Sequence, residues 1–331
     1  MSEIRIAAIM AALAAAVVIA APPAAGEGRN GETVSRIRIR SYPQTDSEKA
    51  AYTVRIDSPW ENGGYLHVNF PEHLEYGPVG YTITRYSDPR PPAWQVEREG
   101  KFAHYEVASI PGRGVEGVRV RAAARVIEPD RVRMTLAIIN HSDKTLHDIK
   151  PLLCFQYKEL AGFSRSDDEN FMYTYVVLDG QLTALADLST TKSDATAKAA
   201  PVKGIRPYRF DFSKKRGGYI DKPLDLGLSV ITSKDGARAV ILYAPVGESV
   251  LSNLHIPCLH ADPYFGHVQP GESKERNVEV TFAGPDWRRA VESTVKGTRE
   301  MKSGWIHRVA GGVVVLTSAF DRKPHGRNER R

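Results

Sequence analysis

Apolar and polar residues alternate with a period of two along much of this 331-residue chain. In the stretch RVRMTLAII (131–139) every second residue is apolar, and these residues are Val132, Met134, Leu136 and Ile138. Because successive side chains of a strand point to opposite faces, this period predicts a strand with one buried and one exposed face. Such one-sided strands are typical of antiparallel sheets.

Two pairs of alternating segments are joined by short turns and therefore predict β-hairpins. Residues 118–127 precede the strand at 131–139 across a turn that contains a proline, a residue that suits a turn and not a central strand. Residues 228–233 and 237–243 flank an Asp-Gly turn. Asp-Gly between apolar runs is a strong hairpin signal.

One segment has helical spacing instead. Asp286 is suited to cap a helix over 287–302, in which Trp287, Val291 and Val295 lie near one face. The remaining strand candidates are 36–41, 52–56, 65–70, 80–86, 103–108, 145–157, 173–178 and 276–282. Many strands with a single late helix predict an all-β fold, a large antiparallel β-sandwich with one helix on the C-terminal side.

The first residues predict export. An alanine-rich apolar run over 6–21 is followed by small residues at 24–26, a pattern typical of a secretory signal peptide spanning residues 1–26. The alternative is an uncleaved membrane anchor, although the run is shorter than the ~20 residues that a bilayer requires. We therefore expect a secreted or periplasmic protein with no stable membrane span after cleavage.

Residues 27–309 are then expected to form a single β-sandwich domain. Within them, 185–223 is polar and loop-like, and we interpret it as a surface excursion, with a domain boundary as the alternative. Residues 310–331 form a C-terminal segment whose basic tail carries much of the net charge of +6. No basic helix or aromatic-basic repeat accompanies this tail, so nucleic acid is not an expected partner.

Three stretches carry a resemblance to a known family. They are LAIINHSDKTLHDIKPLLCFQY (136–157), LSVITSKDGARAVILYAP (228–245) and CLHADPYFGHVQPGE (258–272). Together they resemble the galactose mutarotase-like supersandwich of secreted carbohydrate-active proteins, over roughly residues 110–285. The resemblance implies that fold and a carbohydrate ligand. The Tyr-Phe-Asn stretch of sugar mutarotases is missing, so no catalytic residue is carried over from them.

Three histidines, a cysteine, an aspartate and two aromatic residues fall within NLHIPCLHADPYFGHVQPGE, residues 253–272. Pro257 and Pro263 bar a regular helix in this stretch. In a strand-turn-strand arrangement, His260 and Asp262 would lie on the same side. That placement suits either a general base oriented by a carboxylate or a pair of metal ligands.

Three interpretations of this stretch stay open. A glycan site would use His260, Asp262 and Tyr264, with the tyrosine ring on a sugar face. His255 and His267 would be further ligand-binding residues of that site. The second interpretation is a divalent metal held by these three histidines and Asp262, since zinc accepts both residue types. The third is a proline-shaped turn whose histidines satisfy backbone groups.

The chain has only two cysteines, Cys154 and Cys258. In an exported protein they are allowed to form a disulfide, which would restrict the unfolded chain by about 4–5 kcal/mol in the entropy model. The alternative is two buried thiols that never meet. A bridge would hold the loop of His260 beside the strand that carries Gln156 and Glu159.

A second aromatic-rich segment contains further candidate residues for binding a sugar. Within residues 58–81, the ligand-binding candidates are Trp60, Tyr65, His67 and Tyr76. Aromatic rings cover the apolar face of a sugar, while polar side chains hold its hydroxyls. The alternative is that these aromatic residues are ordinary core and cross-strand partners.

These patterns together predict an exported β-sandwich protein that binds carbohydrate. The sequence leaves open whether it is an enzyme. A lyase, hydrolase or isomerase would need an acid and a base at one bond, and the candidates are His260, Asp262, Tyr264 and Glu159. The alternative is a non-catalytic carbohydrate-binding or envelope-structural protein. No G-x-S-x-G motif or nucleotide-binding glycine loop is present, so no organic cofactor is expected.

Overall fold

The computed structural model describes the chain as a series of segments. They are residues 36–42, 52–77, 80–84, 92–108, 114–164, 169–204, 217–297, 305–310 and 313–318. The predicted signal peptide and the basic tail beyond residue 318 lie outside the described residues.

Strands dominate the described residues, as the alternation predicts. The strands are β1 (Ile39–Ser41), β2 (Thr53–Asp57), β3 (Tyr65–Gly77), β4 (Gly80–Thr84), β5 (Gln95–Glu97), β6 (Phe102–Ala108), β7 (Val118–Glu128), β8 (Arg131–Asn140), β9 (His147–Gln156), β10 (Thr174–Leu178), β11 (Gln181–Ala184), β12 (Ala197–Pro201), β13 (Gly217–Tyr219), β14 (Gly227–Thr232), β15 (Ala239–Ala244), β16 (Gly247–Asn253), β17 (Cys258–Pro263), β18 (Ser273–Ala283), β19 (Trp305–Ala310) and β20 (Val313–Ser318). The α-helices of the described segments are α1 (Asn170–Tyr173) and α2 (Trp287–Gly297).

The strands form two large sheets of nine strands each. The first sheet has the order β1-β2-β3-β9-β17-β16-β12-β13, with β4 also paired to β3. The second has the order β11-β10-β14-β15-β18-β8-β7-β6-β5. Paired neighbours in both sheets run antiparallel except β12 and β13, which run parallel. The predicted fold class, an all-β sandwich with one substantial helix, is confirmed.

The two sheets share one hydrophobic core, and the alternation explains which residues enter it. Met134 and Leu136 of β8 are fully buried there, and Val68 and Phe155 of the first sheet belong to the same cluster. Burying a side chain of this size contributes about 1.5–3 kcal/mol. Core packing, more than local strand propensity, therefore holds the sheets together.

Both predicted hairpins are present. In the first hairpin, β7 pairs with β8, and the last pair before the turn is Glu128 opposite Arg131. In the second, β14 pairs with β15, and the last pair is Thr232 opposite Ala239. In the second turn, the carboxylate of Asp235 accepts a hydrogen bond from the N–H of Ala237 at 3.0 Å. Aspartate therefore stabilises this turn through its own side chain.

The predicted helix is also confirmed. It is α2, which begins directly after Asp286 and whose described part ends at Gly297. Trp287 and Val291 are buried against a second hydrophobic cluster, which includes Ile241 of β15. Within the described segments, neither helix has the length and apolar character needed to cross a membrane.

The region 185–223 contains more regular structure than its composition suggests. Ala197–Pro201 forms β12, which pairs with Ser249–Asn253 of β16. Part of this region is therefore a strand of the first sheet and not a surface excursion. The sequence AKAAP consists mostly of small apolar residues and lacks a clear polar-apolar alternation, which is why the strand was not predicted.

A further hairpin was also not predicted. The strands β19 and β20 form a separate two-stranded antiparallel sheet, with Ala310 opposite Val313. The predicted C-terminal segment begins at Ala310, which is the last residue of β19. The segment has no clear alternation, so only the Gly-Gly pair in its sequence, residues 311–312, signals two strands.

Candidate functional site

One face of the first sheet is polar, although the opposite face of the same strands belongs to the core. Residues directly opposite each other in an antiparallel pair point to the same face, and the pairs His67 with Gln156 and Gln156 with Cys258 define a row across β3, β9 and β17. We call this surface the polar face. It comprises Arg55, Asp57, Tyr65, His67, Asn69, Cys154, Gln156, Cys258, His260 and Asp262.

Gln156 is the central residue of the row. It lies opposite His67 on one side and Cys258 on the other, and its Nε2 donates to Sγ of Cys154 at 3.7 Å. Its chain neighbour Phe155 points into the core on the other face. The strand β9 thus carries core and polar face in alternation.

Two thiols and an imidazole meet on the polar face. The thiol–imidazole cluster consists of Cys154, Cys258 and His260, all buried, whose Sγ atoms and ring nitrogen lie within 4.8 Å of one another. Sγ of Cys258 is 3.3 Å from Nε2 of His260, and Nδ2 of Asn253 donates to the same sulfur at 3.2 Å. Both cysteines are free thiols. The two thiols are therefore buried close together without a bridge in this structure, and their disulfide stays a prediction.

Asp262 lies on the same side of β17 as His260, as the strand arrangement predicts. Its carboxylate accepts hydrogen bonds from the N–H of Leu153 at 2.9 Å and from the hydroxyl of Ser249 at 3.4 Å. Burial raises the pKa of Asp262 to about 7, against the opposing effects of His260 and these two donors. Asp262 is therefore positioned by the backbone of β9 and by β16.

The electrostatics of His260 combine opposing effects. Burial by itself lowers the pKa of His260, but a hydrogen bond to Cys154 and the charges of Asp262 and Glu72 raise it to about 9. The hydrogen bond to Cys258 and burial raise the pKa of the Cys154 thiol well above its usual range. Nδ1 of His260 is buried and has no hydrogen-bond partner among the described residues.

A second group lies where the polar face is partly exposed. The rim group consists of Tyr42, Arg55, Tyr65, His67 and Glu159. The hydroxyl of Tyr42 and Nδ1 of His67 are hydrogen-bonded at 2.8 Å, and the guanidinium of Arg55 lies 3.9 Å from the ring centroid of Tyr65. Burial, then the proximity of Tyr65, raises the pKa of Tyr42 above its usual range, and Glu159 acts in the same direction.

Two local features fix the rim group. Gly64 has φ +77°, and a Cβ there would lie 1.9 Å from the backbone oxygen of Glu159. Only glycine allows this approach, which brings the chain at Glu159 beside Tyr65. Asp57 accepts hydrogen bonds from Nε of Arg40 and from Nε of Arg55, each at 2.6 Å, and so holds the guanidinium of Arg55 over the ring.

The structure brings together two of the four predicted catalytic residues. His260 and Asp262 are neighbours, whereas Glu159 is exposed in the rim group. Tyr264 follows the end of β17, where Nε of Arg276 donates to its backbone carbonyl at 2.7 Å. Among the described contacts, none joins Glu159 or Tyr264 to His260. Sequence spacing could not show this, because Glu159 lies in the turn after β9 and only tertiary packing sets its distance from β17.

Two predicted aromatic ligand residues are packed into the protein. Tyr76 is fully buried in the core. Trp60 packs against the core, stacked on Phe163 at 5.8 Å and edge-on to Phe282 at 5.4 Å. The core alternative therefore describes these two residues, whereas Tyr65 and His67 lie on the polar face.

The four predicted metal ligands are not grouped. His255 is exposed in the turn before β17, and His267 is exposed with its Nδ1 3.3 Å from Nδ1 of His147. His260 and Asp262 are buried. Among the described residues, the one set of ligand atoms close enough for a metal ion is the thiol–imidazole cluster. The alternation in Cys258-Leu-His260 signals two of the three members of this cluster, and the pairing of β17 with β9 adds Cys154.

No family model and no curated protein matches the chain. Solved structures align with it at low identity. A galactose mutarotase-like protein from Lactobacillus casei ATCC 334 is 9% identical with a TM-score of 0.38, covering 70% of this chain and 97% of that chain. The GalM/aldose epimerase homologue from C. elegans is 11% identical with a TM-score of 0.34, covering 75% and 88%.

A larger protein also aligns. Alpha-N-acetylgalactosaminidase NagBb from Bifidobacterium bifidum is 11% identical with a TM-score of 0.40, over 80% of this chain, which spans only 38% of that protein. The neighbours thus include galactose mutarotase-like proteins, the group that the sequence resembles. At these TM-scores the alignments carry no inference about the function of this chain.

Proposed function

We propose that this protein binds carbohydrate at the rim group of the polar face. The observation that carries the proposal is the stack of Arg55 on Tyr65, 3.9 Å from the ring centroid, beside the hydrogen-bonded pair of Tyr42 and His67. Aromatic rings, a guanidinium, an imidazole and the Glu159 carboxylate are thereby concentrated at one partly exposed edge.

This combination suits a sugar because a sugar has two kinds of surface. Its C–H groups pack against aromatic rings, and its hydroxyls require fixed donors and acceptors. Tyr42 and Tyr65 supply rings, while Arg55 supplies donors and Glu159 supplies acceptors. Because Asp57 already holds Arg55 in place, little side-chain entropy is lost when a ligand binds.

The arrangement favours binding over turnover. A lyase or hydrolase needs an acid and a base that flank one glycosidic bond. His260 and Asp262 are each only 2% exposed, and Glu159 is in the separate rim group. We therefore propose a carbohydrate-binding protein, exported by the predicted signal peptide and acting outside the cytoplasm.

A thermal-shift screen of the chain against neutral and acidic mono- and oligosaccharides tests the proposal. A sugar that binds only the folded state raises the unfolding midpoint. Tyr65→Ala is expected to weaken binding of that sugar at least about fivefold, because truncating a central aromatic contact costs more than ~1 kcal/mol. The affinity would be measured by calorimetric titration.

The matched control is Tyr175→Ala. Tyr175 is also partly buried, but it lies on β10 of the second sheet and packs on Trp287 at 5.2 Å. This control should keep the wild-type affinity. Equal weakening in both variants, or a broad panel in which no sugar shifts the midpoint, would exclude the rim group as a sugar site. Conversion of a bound sugar to product would show that the protein is an enzyme.

A further inference from the structure

The thiol–imidazole cluster has the donor set of a zinc site. Cys154, Cys258 and His260 offer two sulfur atoms and one ring nitrogen, all within 4.8 Å of one another. Tetrahedral zinc, with Zn–S of about 2.3 Å and Zn–N of about 2.0–2.1 Å, keeps its ligand atoms roughly 3.5–3.8 Å apart. The observed 3.3 Å between Sγ of Cys258 and Nε2 of His260 is close to this spacing.

The cluster is held by paired strands and not by a loop. Cys258 lies opposite Gln156, and Leu259 lies opposite Phe155, across β17 and β9. This pairing places Cys154 next to His260 on the same face. Ligands on adjacent strands keep their geometry better than ligands on loops, so the three donors are arranged before any ion binds.

Two side-chain amides support the sulfur atoms. Nδ2 of Asn253 donates to Sγ of Cys258 at 3.2 Å, and Nε2 of Gln156 donates to Sγ of Cys154 at 3.7 Å. Hydrogen bonds to a thiolate stabilise its negative charge and orient it toward a metal. Such donors are the outer partners that a thiolate–metal site requires.

The ring nitrogen of His260 that faces the sulfur atoms is Nε2, which lies 3.3 Å from Sγ of Cys258. The other ring nitrogen, Nδ1, points away from the sulfur atoms, and it is buried with no hydrogen-bond partner among the described residues. The neighbouring thiols are neutral and weakly polar when protonated. A cation between Nε2 and the two sulfur atoms would give these three atoms a strong common partner.

From these observations we infer that Cys154, Cys258 and His260 bind a zinc ion. Zn²⁺ replaces the two thiol protons and any proton on Nε2 of His260, all of which are released to solvent, and it binds the imidazole in its neutral form. The charge of the ion balances the two thiolates, so the buried cluster carries no net charge. Three protein ligands leave one tetrahedral position for a water molecule or a bound ligand.

The inference is independent of the proposed carbohydrate function, because it uses a different group of residues. Its competitor is a disulfide between Cys154 and Cys258. That bridge consumes both thiolates and therefore excludes the metal. The two states are distinguished by chemistry that does not depend on any activity.

Cobalt substitution is the direct test. The full chain, isolated with reductant and freed of metal, is titrated with Co²⁺ and then with Zn²⁺. We expect one ion per chain, with thiolate-to-cobalt charge-transfer absorption and the visible bands of tetrahedral cobalt, both removed by zinc. This measurement on the wild-type protein needs no variant to fold.

Variants identify the ligands. Cys154→Ser, Cys258→Ser and His260→Gln should each weaken zinc binding more than about 100-fold, since loss of an outer partner alone costs about 10–100-fold. His141→Gln is the matched control, because His141 is exposed and outside the cluster. A folded, reduced wild-type chain without the thiolate–cobalt band would overturn the inference. So would a Cys154–Cys258 disulfide in protein isolated without reductant, or unchanged zinc binding in the three variants.

Discussion

Replacing Asn140 by aspartate is expected to lower the free energy of unfolding by at least about 3 kcal/mol. Asn140 is fully buried at the end of β8. Its Nδ2 donates to the carbonyl oxygens of Lys144 at 2.7 Å and Val268 at 3.0 Å. Its Oδ1 accepts from the N–H and the hydroxyl of Ser142 at 3.1 and 2.6 Å. An ionised carboxylate would keep the second pair of bonds and oppose the two carbonyls.

The loss should depend on pH in a defined direction. Burial and the two carbonyl oxygens favour the protonated carboxyl, so its pKa in the folded state lies above its pKa in the unfolded chain. The destabilisation therefore grows as the pH rises from the unfolded-state pKa toward the folded-state pKa, and is smallest in acid. Urea denaturation followed by circular dichroism at several pH values measures both the size and the direction.

Asn62→Asp is the matched control for the same chemical change. Asn62 is exposed and has φ 50°, a backbone conformation that aspartate also tolerates. The substitution Asn62→Asp should change the free energy of unfolding by no more than about 0.5 kcal/mol. Similar losses at the two positions would mean that the hydrogen bonds of Asn140 do not stabilise the fold.

Gly227→Ala is expected to lower the free energy of unfolding by about 3 kcal/mol, through a steric clash and not through a buried charge. Gly227 of β14 and Gly247 of β16 bring the two sheets into backbone contact. A Cβ on Gly227 would lie 2.6 Å from the Cα of Gly247 and 2.9 Å from the carbonyl oxygen of Ala244. Both are backbone atoms that cannot rotate away, so the strands must move apart and the packing around them is lost.

The control and the reciprocal variant make this test specific. Gly284→Ala adds the same methyl group where no atom lies within 4 Å, and it should change the unfolding midpoint little. Gly247→Ala should cost about as much as Gly227→Ala, since its Cβ would lie 2.5 Å from the Cα of Gly227. The loss in free energy of unfolding of the double variant should be smaller than the sum of the two single losses, because one substitution already moves the two strands apart. Denaturant titrations in which Gly227→Ala matches Gly284→Ala would contradict the backbone contact.

Much of the local structure was predictable because its causes are local. The alternation in residues 131–139 depends only on which side chains share a face, and the Asp-Gly turn of β14 and β15 depends only on its own residues. Strand β12 has neither signal. The order of strands within the sheets depends on how distant segments pack, which the sequence pattern does not specify.

The same distinction applies to the site. The common side of His260 and Asp262 follows from their spacing within one strand. The meeting of Cys154 with His260 depends on the pairing of β9 with β17, and no spacing along the chain reveals it. Tyr76 shows the converse: aromatic residues suit both a core and a sugar site, and only tertiary packing decides between them.

The polar face is assembled from β3, β9 and β17, which are widely separated along the chain. Closing such long loops costs conformational entropy before their contacts form, so this topology has a high contact order and is expected to fold slowly, on a scale of milliseconds to seconds. During that time Cys154 and Cys258 are apart and accessible to oxidants. The relative rates of folding and oxidation therefore decide whether the two thiols reach the finished cluster intact.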